Sequence, residues 1–454
     1  MFVIIKVALL DTGIDEWLVN GSNEVNLPNI VKGNYTQHGT NCYLILKKYI
    51  KNKKVPIKSR CILTNKGSGL IKNLKSALNW CVENNIKIVN LSCGTTNFKD
   101  YENLRNLINE YYYKGIIFIV ASSNTGLMSY PSSLSTVIGV KTLKEQNLDY
   151  CINKNIHTGV DILALSTHKI KIFDISFYTP KSNSYATPYI TAKVVDILTM
   201  NKYLTINGIK NKLLNKKYSQ YFKPDWISKG YIIGNIRKTK AQFYFKTTKN
   251  IEEADTLIFY NKQEILEKYY NKNCVYLCNN YIEWSFQYFF LQTKNIEKYI
   301  EKSFNTKNKI EVPIIEINFD IQEDLIFFLC QIKKLFENNG YNAYVVSNET
   351  DSVLYDLNFI PHKYFNNNNY KNKIKNFLYW EVYYKQIDII ILCCNRKNIN
   401  IESDLQLNLF NTHKLNLQIL FNNDIVNNFY NSLDENSIKS IYYNIINLIG
   451  DTNE

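Results

Sequence analysis

Glycine and proline are scarce in this chain, at 16 and 8 of 454 residues, which excludes a collagen-like repeat and a Pro/Gly-rich low-complexity architecture. No run of about 18 apolar residues occurs, so a membrane-spanning helix is excluded, in keeping with a mean hydropathy of -0.26. Tight blocks of Lys or Arg are also missing, although the net charge is +14. The basic excess is spread along the chain among Asn, Ile and Tyr, so neither a nucleic-acid nor a membrane-surface partner is expected. The N-terminus lacks a basic n-region and a small-residue cleavage site, and Lys6 interrupts its apolar run. Ten cysteines are dispersed through a chain long enough to bury a large core, which points to free thiols in a reducing, cytoplasmic compartment. What is present is an ordinary globular composition, 45% hydrophobic and 21% charged, in a length that suggests two or three domains.

The first half alternates short apolar runs with amphipathic segments. Strands are expected at 3–10, 58–64, 86–92, 115–121 and 136–141, with helices at 69–83 and 101–114. Leu70, Leu74, Ala77, Leu78 and Cys81 share one face of the first helix. Such alternation implies a parallel sheet covered on both sides. The irregular segment 216–240 reads as a linker between domains at 1–215 and 241–454. Beyond it, strands are expected at 241–247, 255–261, 273–278, 312–319, 343–348, 388–394 and 415–421. A helix over 322–338 has Asp320 as its cap, Glu323 completing a capping box and Gly340 beyond its end. The Asn366–Asn369 run reads as a loop.

Three segments bear chemistry. In Val7-Ala8-Leu9-Leu10-Asp11-Thr12-Gly13-Ile14-Asp15, a carboxylate ends an apolar strand, at the sheet edge where α/β proteins place their sites. His38-Gly39-Thr40 opens an apolar helix, and so does Ser182-Asn183-Ser184-Tyr185-Ala186-Thr187-Pro188, which sets a serine beside backbone N–H groups and a positive dipole end. Taken singly, Asp11 could be a turn residue, His38 and Ser184 helix caps, and Asn124 a loop residue. Asp15 could be mistaken for Asp11.

In the order Asp, His, Ser the three segments resemble the motifs of the subtilisin-like serine proteases, the subtilases. Asp11-Thr12-Gly13-Ile14 and His38-Gly39-Thr40 match the first two motifs. Ser182 to Pro188 matches Gly-Thr-Ser-Met-Ala-Thr-Pro with Ser-Asn in place of Gly-Thr and Tyr185 in place of Met. Between them, Gly67-Ser68-Gly69, the helix after it and Ile88 to Gly94 resemble the strands that line the substrate. Val120 to Gly126 resembles the stretch that ends in the oxyanion asparagine, with Ser122-Ser123 in place of Ala-Gly. Tyr130-Pro131, Val137 to Val140 and Gly159 to Ala164 continue the likeness, which covers roughly residues 1 to 200.

The resemblance implies a subtilisin-like parallel sheet flanked by helices and a serine endopeptidase activity. It implies that Ser184 attacks the scissile carbonyl, His38 moves the proton, Asp11 orients His38, and Asn124 with the Ser184 N–H stabilises the oxyanion. It also implies that Gly67, Ser68 and Gly69 on one side, and Ser92, Cys93 and Gly94 on the other, pair with an extended substrate. No metal or cofactor is expected. Cys42, one helical turn after His38, reads as a core thiol. Cys274, Cys278, Cys393 and Cys394 lie in apolar strands without nearby His, and His157, His168, His362 and His413 stand isolated.

The second half reads as another α/β domain, and the strand, loop and helix at 313–338 have the outline of a degenerate P-loop-type fold. The P-loop pattern would put Asn318, Glu323, Asp324 and Leu325 at its required positions, so no nucleotide is expected there. With no leader ahead of the first core strand, the expected role is selective processing of a peptide, such as maturation of a bacteriocin-like precursor. The alternative is a catalytically silent member of the fold that binds a peptide or partner.

Overall fold

The computed structural model describes residues 5–16, 37–64, 67–144, 148–172, 175–215, 223–261, 271–278, 288–319, 324–394, 401–411, 415–421, 424–430 and 432–450. Its contacts divide the chain into two units, residues 1–219 with 285–289, and residues 220–284 with 290–454.

The first unit is built on a seven-stranded sheet. Its strands are β1 (Val7–Asp11), β2 (Ile57–Cys61), β3 (Ile88–Leu91), β4 (Ile117–Ala121), β5 (Val137–Thr142), β6 (Tyr150–Ile152) and β7 (Ile162–Ala164), in the order β2-β1-β3-β4-β5-β7-β6. All pairings are parallel except β6 with β7. Every residue of β1 is buried, as a continuous apolar run must be in a strand covered on both faces. Helices α1 (His38–Tyr49), α2 (Ile71–Glu83), α3 (Tyr101–Tyr113), α4 (Asn183–Met200) and α5 (Ile206–Leu214) complete it, with a separate β8–β9 hairpin (Lys169–Ile172, Ile175–Tyr178).

In α2 the inward face is Leu74, Ala77, Leu78 and Cys81. Leu70, expected on that face, is 59% exposed, because the helix begins one residue later and leaves it extended at the cap. Helix α4 is buried along most of its length and packs on β3, β4, β5 and α1, which brings its N-terminus to the carboxyl edge of the parallel strands.

The second unit holds two sheets. Strands β10 (Lys229–Ile233), β11 (Lys246–Thr247), β12 (Thr256–Phe259), β13 (Asn273–Tyr276) and β14 (Phe290–Gln292) are all parallel, in the order β11-β10-β12-β13-β14. Strand β10 lies inside the segment expected to be a linker. Its Ser-Lys-Gly start reads as a turn, yet Gly230 is needed there, since a Cβ would stand 2.6 Å from the Phe245 ring. Of the strand expected at 241–247, only the two residues of β11 pair.

The other sheet has β15 (Ile314–Phe319), β16 (Ala343–Ser347), β17 (Asn358–Phe359), β18 (Ile389–Cys394), β19 (Leu405–Asn411), β20 (Leu415–Phe421) and β21 (Asp424–Tyr430). Their order is β17-β16-β18-β15-β19-β20-β21, parallel as far as β19 and antiparallel beyond. The helix after β15 runs Leu325–Asn338, later than expected, with Asp324 ahead of it at φ 60°. Asp324 makes no side-chain cap; its Oδ1 accepts from the Lys240 N–H at 3.0 Å. The expected caps Asp320 and Glu323 lie outside the described residues, and the P-loop outline goes no further than a strand followed by a helix. The Asn-rich stretch expected as a loop holds the end of a short helix, Lys363–Asn366, and a 3-10 turn, Asn368–Tyr370, whose Asn367 side chain accepts from the Asn369 N–H. Among the described residues no helix is long and apolar enough to cross a membrane.

Candidate active site

The first two motifs are laced together by short polar contacts. Asp11 ends β1 with no exposed surface, and its Oδ1 accepts from the Thr12 N–H at 2.7 Å. His38 opens α1, and its Nδ1 lies 2.8 Å from the same oxygen. That approach requires Gly39, where a Cβ would stand 2.1 Å from the Gly13 carbonyl oxygen. The Gly39 N–H donates to Thr12 Oγ1 at 3.1 Å. Asp15 is occupied elsewhere: its N–H donates to Thr40 Oγ1 and its Oδ2 accepts from Thr40 Oγ1 and the Gln37 N–H. Asp11 is therefore the histidine's partner, and Asp15 holds the start of α1.

Because a carboxylate only accepts, His38 Nδ1 bears the proton in this pair, and Nε2 is left as the acceptor. The ring stacks on Tyr185, centroids 5.0 Å apart and planes at 26°. Tyr185 is 7% exposed, and fills a position where the motif has Met.

Ser184 occupies the second position of α4. Its Oγ donates to the Ser92 carbonyl oxygen at 3.3 Å, and among the described residues no hydrogen bond joins it to His38. Such bonds are often loose until substrate binds. Pro188 has no N–H to give the Ser184 carbonyl four residues earlier, and the Cys42 thiol donates to it instead, at 3.6 Å. Cys42 is fully buried, 3.9 Å from His38 Nδ1 and 3.7 Å from Ser92 Oγ. Burial, reinforced by the Asp11 charge, pushes its pKa well up, so it stays a neutral thiol. Asp11, His38 and Cys42 set three possible metal-ligand atoms within 4.8 Å of one another, but the carboxylate and imidazole are already bonded to each other and the thiol is protonated.

Asn124 follows β4. Its Oδ1 accepts from the Asn183 N–H at 3.0 Å, and its Nδ2 lies 3.3 Å from Ser182 Oγ. Asn183 itself is a clamp that the motif comparison missed. Its Nδ2 donates to the Ser122 and Ser123 carbonyls at 3.1 and 2.8 Å, and its Oδ1 accepts from the Thr142 N–H at 2.8 Å. One buried side chain thus ties the N-terminus of α4 to the ends of β4 and β5. Asn90 was also missed: in β3 it donates to Ser92 Oγ and accepts from Thr191 of α4.

The expected substrate-lining segments follow β2 and β3. Gly67 to Gly69 turn back on Leu63 and Thr64, through a Leu63–Gly69 bridge and a Thr64 N–H to Ser68 carbonyl bond of 2.8 Å. Ser92 is buried, Cys93 half-buried and Gly94 exposed; a Cβ on Gly94 would stand 2.6 Å from the Tyr130 carbonyl oxygen. Burial, with Asp11 adding to it, pushes the Cys93 thiol up to about 12. His168, isolated in the sequence, is packed here, with Nε2 3.1 Å from the Tyr185 carbonyl oxygen and Nδ1 3.2 Å from the Tyr49 hydroxyl.

Comparison with known proteins bears on this geometry. A model of the subtilase family matches residues 4–250. The chain is 27% identical over 203 residues to the minor extracellular protease Epr of Bacillus subtilis (strain 168), a match covering 41% of this chain and 31% of that protein. It is 22% identical over 159 residues to subtilisin DY of Bacillus licheniformis, covering 34% of this chain and 57% of that one. To subtilisin Savinase of Lederbergia lenta it is 26% identical over 157 residues, with the same two coverages, 34% and 57%. The chain thus spans between 31% and 57% of the length of these relatives. Among solved structures, a sphericase chain aligns with a TM-score of 0.36 and 20% identity, over 47% of this chain and 82% of that one.

Proposed function

Because this chain belongs to the subtilase family of serine proteases, we propose that it hydrolyses peptide bonds through an acyl-enzyme on Ser184, with His38 as general base and Asp11 orienting it. The observation that carries the reading is the 2.8 Å Asp11–His38 bond at the carboxyl edge of the sheet, beside the helix that has Ser184 as its second residue. With Nδ1 protonated and held, Nε2 is the lone pair that takes the Ser184 proton. The hydroxyl turns from the Ser92 carbonyl, and its oxygen bonds the substrate carbonyl carbon. The carbonyl oxygen gains charge, which Asn124 Nδ2 and the Ser184 N–H neutralise. His38 then passes the proton to the leaving amine as the C–N bond breaks, and water reverses these roles to free the acyl group.

Gly67 to Gly69 and Ser92 to Gly94 are the edges against which an extended peptide would lie. Ten free thiols favour a reducing, cytoplasmic setting. The role is selective processing, for example of a bacteriocin-like precursor. Its support is the short spacing of the motifs, 27 residues from Asp11 to His38 and 146 from His38 to Ser184, and a second unit without catalytic motifs of its own.

A second reading, a silent peptide-binding member of the fold, is favoured by one observation, the Ser184 hydroxyl bonded to Ser92 and not to His38. Incubation of the full chain with a randomised peptide library and with unfolded casein separates the possibilities. Cleavage confined to a narrow set of sequences, and lost in Ser184→Ala, is the expected result. Rapid unselective digestion of casein counts against selectivity alone, and no cleavage of either substrate favours the silent reading.

A further inference from the structure

Ser182 Oγ sits where two donors converge. The Ser184 N–H donates to it at 3.3 Å, and Asn124 Nδ2 donates to the same oxygen at 3.3 Å. The orientation of the Asn124 amide is fixed independently, because its Oδ1 accepts from the Asn183 N–H at 3.0 Å, which leaves Nδ2 as the donor to Ser182 Oγ, while the Ser182 hydroxyl donates to the same Oδ1 at 3.5 Å. These are the two groups assigned above to the developing oxyanion. An oxygen that accepts from both occupies the place that the scissile carbonyl oxygen needs.

Helix capping explains only half of this arrangement. An N-cap serine ordinarily accepts from the N–H two or three residues on, and Ser182 does so with Ser184. Capping does not call for Asn124, which lies 58 residues earlier in the chain, after β4. Nor does the backbone demand a serine: φ is -155° and ψ 146°, an extended conformation open to any residue. The subtilase motif has glycine at this position, with no side-chain oxygen to place there. Ser182 is half-buried and Asn124 exposed, so the convergence point is open to solvent and to substrate.

We propose that Ser182 is a built-in occupant of the oxyanion site, holding the Ser184 N–H and Asn124 Nδ2 until a substrate carbonyl displaces its hydroxyl by rotation about Cα–Cβ. The proposal rests on the assignment of Ser184 as nucleophile. Its consequence is selectivity: a peptide must be anchored well enough along its length to outcompete an acceptor already in place, and weakly held peptides are turned away.

The test compares rates of labelling by a small fluorophosphonate in the full-length chain, Ser182→Gly and Ser182→Ala. In the reaction Ser184 Oγ bonds to phosphorus, the P–F bond breaks, fluoride leaves and the hydroxyl proton passes to His38, while the phosphoryl oxygen enters the oxyanion site. Both variants lack the occupying oxygen; glycine keeps a competent N-cap, and alanine keeps a side-chain-bearing backbone. The expected result is labelling about tenfold faster, the rate equivalent of one net hydrogen bond of about 1.4 kcal/mol. A rise in either variant supports the occupant, because loss of the cap alone slows the reaction in Ser182→Ala and leaves Ser182→Gly near the parent rate. Unchanged or slower labelling in both, with Ser184 still reacting, overturns the proposal and leaves the nucleophile in place. If none of the three proteins is labelled, the assignment of Ser184 fails and takes the proposal with it.

Discussion

Asn183 and Asn124 hold one another by backbone and side chain: the Asn183 N–H donates to Asn124 Oδ1 at 3.0 Å, while the Asn183 side chain bonds the carbonyls of Ser122 and Ser123 just before it. The residue that precedes the candidate nucleophile is thereby the anchor of the loop that bears the candidate oxyanion donor.

Replacing Asn183 by alanine leaves the Ser122 and Ser123 carbonyls and the Thr142 N–H without that partner, in a site where Asn183 is 4% exposed. A loss of about 2–3 kcal/mol in unfolding free energy is expected. Urea denaturation checks it; an unchanged midpoint would mean that the clamp is not stabilising.

In the role proposed for Asn124, Asn124→Ala removes a contact that strengthens only as charge develops on the substrate oxygen. A fall in kcat of about 10²–10³ with KM little changed is expected, a magnitude that comes from subtilisin itself and not from this geometry. Steady-state kinetics on a cleaved peptide decide it, and an effect on KM alone would contradict the role.

Gly39→Ala forces a Cβ to within 2.1 Å of the Gly13 carbonyl oxygen, a backbone atom that cannot swing aside. The start of α1 must then retreat from β1, and His38 with it. Destabilisation of at least about 2 kcal/mol is expected, read as a lowered thermal midpoint. A variant with native stability would show that the close approach is dispensable.

His168 is 1% exposed, and its pKa is lowered to about 4, chiefly by burial with some help from the Lys48 charge and against hydrogen bonds to the backbone of Tyr185 and Leu165. Tyr49 and Tyr189 pack on its ring. The folded chain holds it neutral while the unfolded chain protonates it near 6.5, so the unfolded state binds more protons between about pH 4 and 6.5. The stability it contributes is complete above that window, and is lost as pH falls through it, by on the order of 2–3 kcal/mol. His168→Gln should flatten the acid side of the stability profile in chemical denaturation; an equally steep profile in the variant would assign the acid sensitivity to other groups.

The strands and helices that build the site were legible because each bears a local signal. The run Val7 to Leu10 is apolar throughout, and α2 repeats its apolar residues at helical spacing. Asp11, His38 and Ser184 stood out because each sits at the end or start of such an element. The contacts of Ser182 and Asn183 with Asn124 were not legible, since they join positions 58 and 59 residues apart and depend on α4 docking across β4. Tyr185 looked like a bulky replacement for Met, and only the fold reveals that its ring lies under His38. In the second unit, β19 has the period-two signal of Leu405, Leu407 and Leu409, all buried, yet it is not among the strands expected from the sequence, since the intervening Gln and Asn leave it without a continuous apolar run.

The central claim is that Ser184 is a nucleophile served by His38. Its most direct test is to react the full-length chain with a fluorophosphonate and locate the adduct by peptide mass mapping. The account predicts a single adduct on Ser184, absent from Ser184→Ala and greatly slowed in His38→Ala. An unmodified Ser184, or labelling that does not depend on His38, would contradict it.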